Sequence, residues 1–235
     1  MATRGLADRP WLLLPGTLCT SAVFDGFLDA LDVGSANRHC VDLQWPAIDD
    51  YRVIFEDLPE DTIVCGFSLG AIVAAHFADR MAARYLVLFG LNPYADDPAK
   101  TGSRHDLAAD VTGLGGAAAL RARAIEVVGP SPDETRAMIY DMAEASANHI
   151  DAQTRLALTR PGAMPALSRA QLPVITLTGA LDRSAPPAQG RSAAQSAPDG
   201  QFRELPGLGH FALAEDPAAC AAAFSYLLET RHDPA

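Results

Sequence analysis

The chain has 235 residues, 49% hydrophobic and 20% charged, with 18 glycines and 17 prolines, which fits one compact domain or one core with a sizeable insertion and excludes collagen, coiled coil and intrinsic disorder. No apolar run approaches the ~20 residues of a membrane span, and the longest early one, 11–14, is stopped by Pro15-Gly16 and is too short for a signal-peptide core. The net charge of −11, from 29 acidic and 18 basic residues, repels phosphate backbones and anionic lipid, so neither nucleic acid nor a membrane surface is an expected partner.

The first strand is expected over 11–14. Residues 22–31 follow as a helix, with Val23, Phe24, Phe27 and Leu31 at helical spacing. A second strand is expected over 39–43, a helix over 51–58 and a third strand over 62–65. The helix over 69–80 places Leu69, Ile72, Val73, His76 and Phe77 on one face. A fourth strand covers 85–89. Strands without polar alternation, separated by helices, mean a parallel sheet covered on both faces. Between 93 and 169 only helical stretches are expected, at 117–127, 133–145 and 151–158, with breaks at 113–116 and Pro161-Gly162. Strands return at 174–177 and 201–205. A closing helix over 217–228 has Asp216 as N-cap and Pro217 in its first position. The expected organisation is an α/β core over 1–92 and 170–235, interrupted by a helical insertion over 93–169.

Cys19, Cys40, Cys65 and Cys220 make no CxxC or CxxH pair, so no zinc site is indicated. Cys40 and Cys65 sit in apolar runs and read as small buried hydrophobes. Cys19 lies in the loop after the first strand, near the candidate chemistry. Without an export signal, reduced thiols and a cytoplasmic location are expected.

The strongest chemical feature is Gly66-Phe67-Ser68-Leu69-Gly70. It follows the strand over 62–65 and opens a helix, which is the strand–turn–helix setting of a nucleophile elbow. Close backbone approach calls for the glycines, and a strained serine holds its hydroxyl clear of the sheet edge. Without that context, a glycine-rich turn with an idle serine explains the motif equally well. A serine hydroxyl needs a base. Of six histidines, His210 lies in a loop between the last strand and the last helix, at the carboxyl edge of the sheet where Ser68 also lies. His76 reads as a hydrogen-bonded core residue, His39 lies in a strand, His105 and His149 in the insertion, and His232 in a polar tail. An acid must orient the base. Asp182 lies in the loop directly after the strand over 174–177. Asp96 and Asp97 are alternatives that read as solvated turn residues, and a plain Asp turn would also account for Asp182. After the first strand, Gly16 lets the backbone turn so that the Thr17 amide can meet a substrate oxygen. The Leu69 amide would be the second such donor.

These motifs resemble the α/β-hydrolase superfamily. The likeness is to small carboxylesterase-type members such as pimeloyl-carrier-protein methyl ester esterases, enol-lactonases and cofactor-free haloperoxidase-like esterases. Leu12-Leu13-Leu14-Pro15-Gly16 is similar to the family's first strand and oxyanion loop, 66–70 to its elbow, 179–187 to its acid loop, and 206–217 to its histidine loop and final helix. The resemblance implies Ser68 as nucleophile, His210 as base, Asp182 as acid, and the Thr17 and Leu69 amides as oxyanion donors. It implies a mostly parallel sheet of about six strands with flanking helices, and a helical lid over 93–169. Two features depart from the pattern. Pro15-Gly16 stands where the family usually has His-Gly, whose histidine braces the loop. Only about ten residues precede the first strand, so the family's usual antiparallel hairpin is expected to be missing and the sheet all-parallel.

The resulting expectation is a serine hydrolase that acts on a small-molecule carboxylic ester, thioester or lactone through an acyl-serine, with no metal or organic cofactor. The same fold also supports lyases, acyltransferases and cyclases, and less readily a ligand-binding protein with a vestigial triad. The lid's inner face is expected to be apolar, from Leu120, Ile125, Met138, Ile139 and Met142, which points to a hydrophobic acyl group. Nothing in the sequence speaks to oligomeric state.

Overall fold

The apolar runs pair side by side in parallel. In the computed structural model, which describes residues 5–231, the strands are β1 (Trp11–Leu14), β2 (Arg38–Cys40), β3 (Ile63–Phe67), β4 (Tyr85–Phe89), β5 (Val174–Gly179) and β6 (Gly200–Leu205). They form one sheet in the order β2-β1-β3-β4-β5-β6, and each neighbouring pair is parallel. His232 lies outside the described residues.

Among the described residues the α-helices are α1 (Ala22–Asp29), α2 (Arg52–Glu56), α3 (Leu69–His76), α4 (Thr101–Leu114), α5 (Gly116–Ala122), α6 (Pro132–Ala145), α7 (Ile150–Thr159), α8 (Met164–Leu167), α9 (Pro187–Ser196), α10 (Ala212–Glu215) and α11 (Pro217–Arg231). Strand periodicity of two sends alternate side chains to opposite faces. Trp11 and Leu13 join one apolar cluster with Phe24 and Phe27 of α1 and Phe224 of α11. Leu12 and Leu14 join the other with α3 and α8. Trp11 meets Phe27 and Phe224 edge-on, with ring centroids 5.9 and 6.0 Å away, a geometry worth about 0.5–1.5 kcal/mol per pair beyond area burial. Asp216 caps α11, its Oδ1 accepting from the Ala219 amide at 2.9 Å.

Several expectations shift. β2 is an edge strand of three residues rather than five, and its last residue, Cys40, is exposed, because among the described residues no strand pairs with its outer side. α3 stops at His76. α5 stops at Ala122, and Ala124 adopts a left-handed φ of 46°. Four helices, α4, α8, α9 and α10, have no expected counterpart; α8 and α10 are four-residue turns. α9 packs on β5 and β6 through Gly190, Ala193 and Ala194, too small to make an apolar stripe. α4 buries only Ala108 and Val111. Between β4 and β5 the chain forms helices α4 to α8 and no strand, and their apolar residues join both clusters.

The strand order reverses at β1. The chain leaves β1 for β2 on one side and returns to β3 on the other, opening a crevice at the carboxyl ends of β1 and β3 where such sheets bind ligands.

Candidate active site

Ser68 is the residue between β3 and α3. Its backbone sits at φ 50°, ψ −115°, and its amide donates to the Phe89 carbonyl of β4 at 2.9 Å. A non-glycine residue there is strained, and the surrounding hydrogen bonds hold it in place. Gly70 has to be glycine, since a Cβ would lie 2.0 Å from the Leu14 carbonyl oxygen.

The loops after β5 and β6 are stitched together, the Ala180 and Leu181 amides donating to Leu205 and Leu208 carbonyls. This brings Asp182 beneath His210. Asp182 Oδ1 accepts from the Ser184 and Ala185 amides, each at 2.8 Å, and Oδ2 lies 2.8 Å from His210 Nδ1. The carboxylate is fully buried. An ionised carboxylate only accepts, so Nδ1 carries the imidazole proton and Nε2 is left as acceptor. Ser68 Oγ lies 3.0 Å from that Nε2. Phe67 and Phe211 flank the imidazole, with centroids 5.2 and 5.6 Å away.

Two neighbours carried no sequence signal. Gly90, at φ 57°, follows β4, and a Cβ there would stand 3.1 Å from His210 Cε1. Glu215 of α10 is buried, and it accepts from the Gly209 amide and, at 3.4 Å, from Val128. Burial pushes its carboxyl up, against the pull of those two amides.

The loop after β1 brings Thr17 and Leu18 to the same crevice. Gly16 is not in the left-handed region; Leu18 is, at φ 56°. The Leu18 amide donates to Gln153 Oε1 of α7 at 3.0 Å, and Gln153 is 1% exposed. A glutamine 135 residues away in sequence thus braces this loop. The Thr17 and Leu69 amides have no acceptor among the described residues.

A cavity of about 340 Å³ opens above these groups. Thr17, Ser68, Leu69 and His210 line it. Cys19 does not; it is buried, which pushes its thiol up to about 12. His76 is also outside the cavity, its ring nitrogens 2.8 Å from the Ile72 carbonyl and 2.7 Å from that of Pro161. Asp96 is not solvated: it is buried between Arg104 and Arg160, and although burial raises its carboxyl, the two guanidiniums hold it below the usual carboxylate range. Asp97 is an exposed turn residue whose Oδ1 accepts from the Ala99 amide.

The expected apolar inner wall is overturned. Of its five residues only Leu120 lines the cavity beside Ser68. Ile125 lines a smaller one that also touches His210, Met138 and Met142 line outer clefts, and Ile139 is buried in the core. The helices between β4 and β5 instead present Lys100, Ser103, Arg104 and Arg160 beside Leu107 and Leu120.

A parallel sheet with a serine on a strained strand-to-helix turn, facing a histidine held by a buried aspartate, defines a class of α/β proteins. The chain belongs to the alpha/beta hydrolase family, whose family model matches residues 8–223. Membership supports hydrolase activity in general. A search of curated protein sequences found no match. Among solved structures, MenH from S. aureus is similar at 16% identity and TM-score 0.77, covering 96% of this chain and 95% of that one. An esterase from Thermogutta terrifontis is similar at 19% identity and TM-score 0.76, covering 97% and 92%. The enol-lactonase from Burkholderia xenovorans LB400 is similar at 18% identity and TM-score 0.73, covering 94% and 92%. At these identities the likeness is one of fold. No helix among the described residues is long and apolar enough to cross a membrane.

Proposed function

We propose that this hydrolase cleaves a small-molecule carboxylic ester, thioester or lactone through an acyl-Ser68 intermediate. The observation that carries the reading is the continuous hydrogen-bonded chain Ser68–His210–Asp182, at 3.0 and 2.8 Å, opening into one cavity. Ser68 Oγ attacks the carbonyl carbon while His210 Nε2 takes its proton. The charge of the resulting imidazolium is stabilised by Asp182. The oxyanion is received by the two unengaged amides, Thr17 and Leu69, with the start of α3 behind it favouring negative charge. His210 then protonates the leaving group, and in a second round deprotonates the water that releases the acid. The helical segment 93–169 acts as a lid over the core formed by 1–92 and 170–235. The four free cysteines agree with a reducing, cytoplasmic setting.

The test is fluorophosphonate labelling followed by peptide mass mapping, with hydrolysis of p-nitrophenyl esters from acetate to decanoate. The reading expects the adduct on Ser68 and turnover of at least the short esters. A protein that neither labels at Ser68 nor releases nitrophenol overturns it.

Gln153 takes over the bracing that the family's loop histidine provides. Gln153→Leu leaves the buried Leu18 amide unpaired, at a cost of about 1–3 kcal/mol. The loop loosens, so kcat should fall roughly tenfold with KM little changed, since a misplaced oxyanion donor weakens the transition state more than ground-state binding. Unchanged kcat on a less stable protein would mean that the bond serves only folding.

A further inference from the structure

The cavity beside Ser68 carries a charge opposite to that of the protein. The chain holds 29 acidic and 18 basic residues, yet the cavity wall has three cations, Lys100, Arg104 and Arg160, and no Asp or Glu. Lys100, Ser103, Arg104 and Leu107 recur at i, i+3, i+4 and i+7, so one face of α4 and its N-cap is turned to the cavity. Among the described residues the only carboxylate bonded to these cations is Asp96, which lies outside the lining, bridges Arg104 and Arg160, and cancels one of the three charges. Lys100 forms no ion pair among the described residues. Arg160 is 1% exposed in its side chain; its Nη groups bond Ala157 and Asp96, while its Nε is buried without a partner. A buried guanidinium donor without a partner is costly, and the exposed Lys100 ammonium, free of any ion pair among the described residues, leaves this wall with a positive charge that favours an anion.

We infer that the substrate carries a carboxylate in addition to its scissile carbonyl, and that Lys100, Arg104 and Arg160 form the subsite that receives it. This deepens the hydrolase reading and rests on it. A short acid ester or a carboxylate-bearing lactone fits the chemistry: its reacting carbonyl lies at Ser68, its few carbons contact Leu107 and Leu120, and its anionic end meets the cationic wall. A volume of about 340 Å³ suits a chain of a few carbons. Ser103, on the same face, donates its hydroxyl to the Lys100 carbonyl at 3.0 Å, which leaves the charged groups to receive the anion.

The test compares monoethyl glutarate with ethyl valerate, in which a methyl group replaces the carboxylate, with acid release followed in a pH-stat. The charged ester should have a kcat/KM at least about tenfold higher, the scale of one charge-assisted hydrogen bond. That preference should shrink several-fold between low and high salt. Lys100→Met should also reduce it several-fold. Arg160→Met should remove most of it, but leaves Asp96 half-paired and is open to misfolding. Lys100, which has no ion pair to break, keeps the test decisive. Calorimetric titration with glutarate reads the subsite without turnover: binding weakened by salt and by Lys100→Met supports it. Equal or better turnover of ethyl valerate overturns the subsite and leaves the hydrolase reading standing. Glutarate binding without any ester cleavage or Ser68 labelling overturns the hydrolase reading instead. The absence of both glutarate binding and charged-ester preference overturns the inference outright.

Discussion

Asp182→Asn should lower kcat by about 10⁴-fold while the protein stays folded. Asp182 Oδ1 accepts from two backbone amides, Ser184 and Ala185. In the variant the amide oxygen keeps those two bonds, because the amino group cannot accept. The amino group therefore takes the Oδ2 position and points its hydrogens at His210 Nδ1. Nδ1 must then be the acceptor, and the imidazole proton moves to Nε2. A protonated Nε2 cannot take the proton of Ser68, so the base is present in the wrong tautomer. The imidazolium also loses its counter-charge. Steady-state kinetics on a p-nitrophenyl ester, with thermal unfolding as control, check the expectation. A loss below tenfold on a normally folded protein would remove Asp182 from the reaction and make it a turn residue.

Gly70→Ala should damage both folding and catalysis, because its methyl meets rigid backbone beside the active site. The added Cβ would stand 2.0 Å from the Leu14 oxygen, 2.4 Å from the Leu14 carbon and 2.5 Å from the Pro15 oxygen. All three are backbone atoms, so no rotamer relieves the clash. Either α3 lifts from β1, opening the packing of Ile72 and Val73, or the loop carrying Thr17 shifts. Overpacking costs typically about 1–3 kcal/mol and more against rigid backbone, out of a total stability of roughly 5–15 kcal/mol for a domain. The same movement separates Ser68 from the Thr17 amide, and a displacement of about 1 Å costs on the order of 10²-fold in rate. Urea unfolding should show a lower midpoint, and the refolded variant should have at most about 1% of wild-type kcat. A variant with wild-type midpoint and kcat would mean that the close approach of α3 to β1 is not needed.

The main differences between sequence and structure follow from what each residue's neighbours are. The strand–turn–helix around Ser68 was legible because its determinants lie within about ten residues: an apolar strand, two glycines at fixed offsets and a helix start. The loops of Asp182 and His210 were legible as positions, since a residue following a parallel strand lies at the sheet's carboxyl edge. Cys40 was misread because an apolar neighbourhood in sequence does not reveal that β2 is the edge strand. Asp96 was misread as solvated because its two arginine partners come from distant places in the same segment, Arg104 from α4 and Arg160 from just past the end of α7. The helix α4 was invisible to hydrophobic periodicity because its cavity-facing side carries Lys100, Ser103 and Arg104 where a core-facing helix would carry apolar residues.

The sequence by itself determined the parallel α/β core, the serine on its tight turn and the chain order of serine, aspartate and histidine, because local periodicity and turn chemistry carry that information. Only the tertiary structure decided what surrounds the serine. It joined Gln153 to Leu18, set Glu215 under the histidine loop, required Gly90 beside His210, and turned three cations toward a cavity in an acidic protein. Each of these depends on residues far apart in the chain meeting at one hydrogen bond or one van der Waals contact. Such meetings are fixed by how the helices between β4 and β5 pack over the sheet, and no local pattern encodes them.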